Sequence, residues 1–425
     1  MWIDSRAAII GTNVAALPVT TDRIMALPES QRAPWLEYLS LSRKRSASDR
    51  STFQAELRMH GITNATSPVS ASSTRGIILN RPADWYSSEE ALRLARNIVS
   101  FQTPAGGWSK NLNMVTRARS NGELFAHGNA SRFSAMNDLD QARDPGWTYV
   151  GTFDNGATIT QLRFLAKVIS ASDRQNHDQL KAAFYRGLDY IFEAQYPNGG
   201  WPQVWPLQGG YQDCVTLNDG AMVGVLDLLL DVAKAGSEFS FVQKDHHDKA
   251  SDSVERGLRC LLALQVVVRG QPTAWSQQYD ALTLQPASAR NYEMPSISSG
   301  ESAGAMRFLM RHPSPSTNIA VAIRSAARWF ETSAIKDKSY RRTETNDGRH
   351  LVDAPGNGPL WSRYYDIQTN RPIFGDRDKS IHDTVEEISR ERRDGYAWFT
   401  DAPEGALKQF GDWEKRNRTE QIQPR

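Results

Sequence analysis

The spacing of apolar residues along the chain predicts a helical protein. Seven segments carry apolar side chains at intervals of three and four residues, which is the periodicity of an amphipathic helix. They are residues 89–101, 157–170, 179–194, 220–235, 251–266, 300–311 and 318–332. No comparable series of segments shows the alternation of a half-buried strand. We therefore expect an all-α main domain.

A stretch dominated by serine and threonine separates this region from the N-terminal part of the chain. Residues 63–74 also contain a proline, so they predict a loop or linker. Before it, the pattern predicts one helix over 29–43 and a second over 47–60. We expect an N-terminal helical extension with its linker over 1–75, a main domain over 76–412 and a frayed tail over 413–425.

Two short motifs recur at helix ends. Gln102-Thr-Pro-Ala-Gly-Gly-Trp108 follows the first main-domain helix, Gln195-Tyr-Pro-Asn-Gly-Gly-Trp201 follows the third, and residues 264–275 form a degenerate third copy. Helix starts carry Asp154-Asn-Gly-Ala-Thr158 and Asn218-Asp-Gly-Ala-Met222, with 299–303 in the corresponding place. Alternation of these two helix types predicts helical hairpins repeated around a ring, an incomplete barrel with long irregular loops. This α/α toroid would present one set of helix ends to a shared cleft.

Charge and cysteine content exclude several classes of protein. Fifty basic residues against 48 acidic ones leave a net charge of +2, too little for a general nucleic-acid binder. No run of 18 apolar residues predicts a membrane helix, and residues 1–17 lack the pattern of an intact signal peptide. Cys214 and Cys260 match no zinc motif and predict two buried thiols. We expect a soluble monomer, already trimmed if it is secreted.

Arginine is concentrated late in the chain. Nine arginines lie between residues 340 and 393, interleaved with tyrosine and tryptophan: Arg341, Arg342, Arg349, Arg363, Arg371, Arg377, Arg390, Arg392 and Arg393. The planar guanidinium matches a carboxylate with two hydrogen bonds. The cluster therefore predicts either an anion-binding site or a surface of intramolecular ion pairs.

Taken together, seven motifs resemble those of family 10 pectate lyases. They are Phe101-Gln-Thr-Pro-Ala-Gly-Gly-Trp-Ser-Lys-Asn111, residues 152–158, Gly199-Gly-Trp-Pro-Gln203, residues 218–222, Gln285-Pro-Ala-Ser-Ala-Arg290, Leu360-Trp-Ser-Arg-Tyr-Tyr365 and Phe374-Gly-Asp-Arg-Asp378. They keep their order over about residues 76–410. The resemblance implies a secreted or periplasmic lyase that cleaves the galacturonan of pectin by β-elimination and leaves 4,5-unsaturated products.

This reaction removes the C5 proton beside the uronate carboxylate and expels the oxygen on C4. A cation bound to that carboxylate stabilises the developing charge, and Ca²⁺ suits oxygen ligands while leaving positions for substrate. The resemblance implies that Asp154 and Asp219 are essential and contact calcium, and Asn155 offers a further oxygen. The chain has no EF-hand loop, so we expect weak calcium binding without substrate. The alternative is that both aspartates only cap their helices.

The resemblance also assigns basic residues. Arg290 matches the family's proton-abstracting arginine, although free arginine is always protonated, so a base role requires nearby cations and desolvation. In the alternative, Arg290 binds a carboxylate and Lys110 takes the proton. Arg363 and Arg377 match arginines that bind substrate carboxylates, and Lys110 and Asn155 are also expected to bind substrate. Trp108 and Trp201 are interpreted as packing residues, and Arg392 and Arg393 as solvated or structural charges.

The chain departs from the family pattern at two places, and other functions remain open. Tyr279 stands where the family tends to carry histidine, and Ile297-Ser-Ser-Gly-Glu-Ser302 replaces Leu-Ser-Gly-Ser-Glu-Ser. A toroid glycoside hydrolase would use Asp154 and Asp219 as acid and base. A noncatalytic pectin-binding protein would bind galacturonan and release nothing. A terpenoid cyclase shares Gln/Gly/Trp loops, but residues 138–141, Asp-Leu-Asp-Gln, lack its strongly acidic cluster.

Overall fold

The chain folds into helices joined by long loops with short strands. The computed structural model describes residues 9–70, 77–127, 138–140, 146–171, 177–312, 315–343 and 347–422. The helices are α1 (Thr21–Met25), α2 (Glu29–Met59), α3 (Glu89–Ser100), α4 (Ile159–Ser170), α5 (Asp178–Ala194), α6 (Ala221–Ala233), α7 (Lys244–Ala263), α8 (Ser299–Met310), α9 (Thr317–Ser333), α10 (Arg390–Gly395) and α11 (Ala402–Ile422). The seven helices predicted from periodicity appear as α3 to α9.

The strands are two to five residues long. They are β1 (Gly11–Thr12), β2 (Val215–Thr216), β3 (Val267–Val268), β4 (Gln271–Pro272), β5 (Gln278–Tyr279), β6 (Ile297–Ser298), β7 (Lys338–Arg342), β8 (Arg349–Asp353), β9 (Trp361–Ser362), β10 (Tyr364–Tyr365), β11 (Phe374–Gly375), β12 (Ser380–His382) and β13 (Phe399–Thr400). The β7–β8 hairpin pairs Lys338 with Asp353, and β12 pairs antiparallel with both β1 and β11. The helix-rich class was predicted correctly, and these strands were not foreseen.

Two compact units make up the structure. One comprises residues 17–260, and the other comprises 1–16 with 261–425. The expected division near residue 75 falls inside the first unit and stays a prediction. None of the described helices is long and apolar enough to cross a membrane.

Helix α2 is continuous where the sequence predicted two helices, because no glycine or proline interrupts residues 43–47. In the first unit, Phe53 of α2 packs edge-on to Phe125 and beside Trp147. The Tyr38 hydroxyl donates to the carbonyl of Ala194, 2.9 Å away. The N-terminal region therefore packs closely within this unit.

A helix covers the described part of the segment for which a frayed tail was expected, residues 413–422. Helix α11 continues to Ile422, the limit of the described residues. Trp413 is buried, and the guanidinium of Arg324 lies 5.6 Å from its ring centroid. Arg324 also binds Glu414. Burial of the indole accounts for the order of this segment.

Each Gly-Gly-Trp loop is held by its glutamine. Gln102 Nε2 donates to the carbonyls of Gly106 and Ala183 at 2.7 and 2.8 Å, and Gln195 makes the equivalent pair of bonds. Each glutamine therefore ties its loop to a neighbouring helix, α5 for Gln102 and α7 for Gln195. Gly106 has φ 111°, and a Cβ there would lie 2.3 Å from the Arg186 carbonyl oxygen, so only glycine fits.

The structure confirms the degenerate third copy and adds a fourth. After α3, α5, α7 and α9, a buried tryptophan donates from Nε1 to a carbonyl oxygen of the preceding helix: Trp108 to Ile98, Trp201 to Ile191, Trp275 to Leu261 and Trp361 to Phe330. Helices α4, α6 and α8 follow the first three loops, and α10 and α11 follow the fourth. Trp108 and Trp201 are fully buried, as expected of packing residues, and Cys214 and Cys260 are buried free thiols.

The fourth copy becomes recognisable in the sequence only when it is aligned with the third. Residues 275–286 and 361–372 share the pattern Trp-Ser-x-x-Tyr-Asp-x-x-Thr-x-x-Pro. In both, the aspartate accepts the amide of the threonine, at 2.9 Å for Asp280 and 2.7 Å for Asp366. Tyr279, where the family tends to carry histidine, is buried and accepts the Ser276 amide, as Tyr365 accepts that of Ser362. Tyr279 therefore has a structural role.

Candidate functional site

The two acidic helix-start motifs form matching turns in the first unit. Residues 154–156 and 218–220 are single 3₁₀ turns that lie in contact with each other. The central residues, Asn155 with φ 53° and Asp219 with φ 50°, adopt the left-handed conformation that asparagine and aspartate tolerate best. The turns that carry Asp154, Asn155 and Asp219 therefore lie in contact with each other.

Neither aspartate acts as a helix cap. The N-cap residue of α4 is Thr158, and that of α6 is Gly220. Neither helix has a side-chain hydrogen bond from its N-cap residue. Asp154 is 2% exposed and pairs through Oδ2 with Lys110 Nζ. Asp219 is exposed and accepts from Asn218 Nδ2 at 3.1 Å. Neither aspartate therefore occupies the N-cap position of its helix.

Lys110 is held between a carboxylate and an aromatic ring. Its Nζ pairs with Asp154 and lies 3.8 Å from the ring centroid of Tyr149, which is a cation–π contact. The Tyr149 hydroxyl is 2.8 Å from that of Tyr211, which donates to Asp140 at 2.7 Å. Burial raises the pKa of Tyr149, and Lys110 opposes this rise. The network fixes the ammonium beside Asp154.

The oxygens of these turns fit a hard cation. Buried Asp154 Oδ1 has no hydrogen-bond partner in the described part of the chain, although burying an unpaired carboxylate oxygen is costly. Carboxylates and amide oxygens suit Ca²⁺ better than a transition metal. No group of three or more His, Cys, Asp or Glu residues suited to a metal occurs among the described residues. Any calcium here would therefore take further ligands from water or substrate.

In the second unit, Arg290 is bound by Glu293, a residue that was not predicted from the sequence. Its Nε lies 2.8 Å from Glu293 Oε2, and its Nη2 bonds to Oε1. Burial alone would raise the pKa of Glu293, but attraction to Arg290 and hydrogen bonds from Arg290 and Tyr396 lower it to about 2. Burial alone would lower the pKa of Arg290, but Glu293 raises it well above its usual value. Arg290 is therefore a firmly held cation.

Tyr292 and Tyr396 form an aromatic support for several arginines. The two rings meet edge-on at 5.0 Å, and the Arg290 guanidinium lies 5.0 Å from one and 5.6 Å from the other. Arg363 lies 4.8 Å from Tyr396 and 3.4 Å from Glu301 Oε1. The structure thus places Arg290 and Arg363 against the same tyrosine.

Arg377 shares its partner with Arg392. Both bind the carboxylate of Glu391, Arg377 through Nε at 2.8 Å, and both lie against Tyr292, at 5.5 and 4.4 Å. Hydrogen bonds from Arg392, followed by those from Arg377, lower the pKa of Glu391 to about 2 despite partial burial. Arg392 and Arg393 are both buried, so they are structural charges and not solvated ones. Arg363 and Arg377 are consequently anchored beside Arg290 by shared tyrosines.

Comparisons with known proteins identify a family and similar solved structures. The sequence model of the pectic acid lyase family matches residues 102–407. A family 10 polysaccharide lyase from Cellvibrio cellulosa is 29% identical, with a TM-score of 0.64 over 81% of this chain and 98% of its own. The second structure is an aspartate-to-alanine variant of a family 10 polysaccharide lyase from the same organism, in complex with trigalacturonic acid. It is also 29% identical with a TM-score of 0.64, over 77% of this chain and 95% of its own. Among curated protein sequences, none matches significantly.

Proposed function

The chain belongs to the pectic acid lyase family of polysaccharide lyases, and from this we propose that it cleaves de-esterified (1,4)-α-D-galacturonan by calcium-assisted anti β-elimination. Two observations support the proposal: the 154–156 and 218–220 turns lie in contact, and Oδ1 of buried Asp154 has no hydrogen-bond partner among the described residues. The repeated helix–loop–helix units support an α/α toroid as the architecture. We further propose a secreted or periplasmic monomer, with residues 1–75 as an extension.

Asp154, Asn155 and Asp219 would hold the calcium. When bound, calcium would neutralise the uronate carboxylate and make the C5 proton more acidic. Asp154 already balances Lys110, so the ammonium and the cation share one carboxylate. This sharing supports weak calcium binding in the absence of a substrate carboxylate.

Arginines would fix the substrate and take its proton. Arg363 and Arg377 would bind successive carboxylates, since each guanidinium is held by aromatic and acidic neighbours in one orientation. Arg290 would abstract the C5 proton through Nη1, the terminal nitrogen outside its pair with Glu293. The raised pKa of Arg290 opposes this step, because the neutral guanidine must form beside a buried carboxylate. Lys110 is therefore kept as the alternative base.

Ultraviolet absorbance of polygalacturonate tests the reaction. Elimination leaves a double bond conjugated with the carboxylate, and hydrolysis does not. We expect absorbance to rise with calcium and to stay flat with excess chelator. New reducing ends without absorbance would instead indicate a glycoside hydrolase that uses Asp154 and Asp219. Binding without either product would indicate a noncatalytic pectin-binding protein.

A further inference from the structure

Gln203 occupies a repeated position that carries a polar or basic side chain in every copy. The second residue after the buried tryptophan is Lys110, Gln203, Gln277 or Arg363 in the four repeats. The backbone frame is the same in the first two copies, because the Trp108 carbonyl accepts the Thr152 amide at 2.9 Å and the Trp201 carbonyl accepts the Thr216 amide at 3.1 Å. Gln203 therefore corresponds to Lys110.

The other side chains at this position have protein partners. Lys110 binds Asp154, Arg363 lies 3.4 Å from Glu301, and Gln277 Oε1 accepts from Arg363 at 3.4 Å. Gln203 is 3% exposed, yet its Oε1 is without a hydrogen-bond partner across the residues described. An unpaired buried polar group costs about 1–3 kcal/mol. No hydrogen bond among the described residues offsets the cost of burying this oxygen.

Backbone bonds place Gln203 beside Asp154. Its carbonyl accepts the amide of Phe153 at 3.1 Å and the hydroxyl of Thr152 at 2.6 Å, and its own amide donates to Gln212 at 3.0 Å. The backbone is therefore anchored without the side chain. Gln195 also has an unpaired oxygen, but its amide nitrogen makes two hydrogen bonds that hold its loop. Gln203 shows no comparable structural task.

The unpaired atom is an acceptor, so its missing partner is a donor. A substrate carboxylate has no proton to donate, whereas a sugar hydroxyl does. An amide oxygen is also a calcium ligand, so the calcium dependence of the variants must distinguish a sugar hydroxyl from the metal. Resting on the proposed function, we propose that the Gln203 side chain binds a hydroxyl group of a galacturonate unit beside Lys110 and Asp154.

Steady-state kinetics of Gln203→Ala and Gln203→Glu on polygalacturonate test this role. We expect KM to rise about 5- to 20-fold in Gln203→Ala, the loss of one hydrogen bond, with a smaller change in kcat. The calcium concentration for half-maximal rate should stay unchanged. Gln203→Glu should also raise KM, because a carboxylate there repels the polyanion. Exposed Gln179→Ala on α5 is the matched control and should behave as wild type.

Other outcomes overturn the assignment. A change in calcium dependence with unchanged KM, or tighter calcium binding by Gln203→Glu, would make Gln203 a metal ligand. A lower melting temperature with unchanged KM would make it structural. Titration calorimetry of trigalacturonate in an Arg290→Ala background adds a readout without turnover, and equal affinities with and without Gln203→Ala would refute the contact. Wild-type protein that yields no unsaturated product contradicts the proposed function itself, independently of these variants.

Discussion

The guanidinium of Arg290 and the carboxylate of Glu293 form a two-bond ion pair in which Nε lies 2.8 Å from Oε2 and Nη2 bonds to Oε1. Glu293 is buried and also accepts the Tyr396 hydroxyl at 2.6 Å. The pair orients Arg290 and leaves Nη1 outside it. The same pair stabilises the charged arginine, which opposes its use as a base.

Glu293→Gln should move the pH dependence of the reaction. Removing the carboxylate charge lowers the pKa of Arg290, so a base at Arg290 would become active at lower pH. We expect the rising limb of log kcat/KM against pH to shift to lower pH. Glu391→Gln is the matched control, because Glu391 binds Arg377 and Arg392 instead. An unmoved limb in Glu293→Gln would favour Lys110 as the base.

Arg290→Lys should abolish most of the activity. Lysine keeps the charge but cannot bind Glu293 through two parallel N–H groups, so the position and the proton-transfer geometry are both lost. We expect kcat to fall by about 10²- to 10⁴-fold, the usual contribution of general base catalysis. Near-normal kcat, measured as unsaturated product at saturating polygalacturonate, would exclude Arg290 as the base. A normal melting temperature is needed to attribute the loss to catalysis.

Substitution of the substrate-binding arginines should chiefly weaken binding. Arg363→Ala and Arg377→Ala each remove a charge-assisted contact to a uronate, so KM should rise about 10-fold or more. Fewer ionic contacts also make KM less sensitive to salt. Arg328→Ala, on the exterior of α9, removes an arginine outside this group and serves as the control. Unchanged KM at low and high salt in both variants would refute the assignment.

Calcium should bind weakly until substrate is present. The 154–156 and 218–220 turns supply fewer carboxylates than a tight site uses, and Lys110 neutralises one of them. We expect titration calorimetry of the free protein to give a Kd of about 10⁻⁴ M or weaker. Asp154→Asn and Asp219→Asn should each raise the calcium needed for half-maximal rate. Tight stoichiometric calcium in the free protein would contradict this arrangement.

Local patterns predicted the helices of the main domain and some of the residues of the candidate site. Helices α3 to α9 follow from apolar periodicity, and Asp154 and Asp219 stand in motifs visible in the sequence. Glu293 had one local signal, its spacing of three residues from Arg290. Tyr396 had none, because its contact with Glu293 joins positions 103 residues apart. Such a contact depends on tertiary packing, which periodicity and spacing do not encode.

Asp49 on α2 should make folding stability depend on pH. It is 1% exposed, and burial raises its pKa to about 7 although the Ala105 amide and Arg45 oppose this. Because the pKa is raised on folding, the folded state binds the proton more tightly than the unfolded state. This contribution to stability is complete below about pH 4 and is lost as pH rises through about 7.

Asp49→Asn mimics the protonated carboxyl at every pH. We expect the variant to gain stability over wild type at pH 8, by up to a few kcal/mol, and the gain to shrink towards pH 4. Urea denaturation at both pH values measures it. Exposed Asp22→Asn on α1 removes the same charge without burial and should show no such trend. A pH-independent difference for Asp49→Asn would show that its carboxyl is ionised in the folded protein throughout this range.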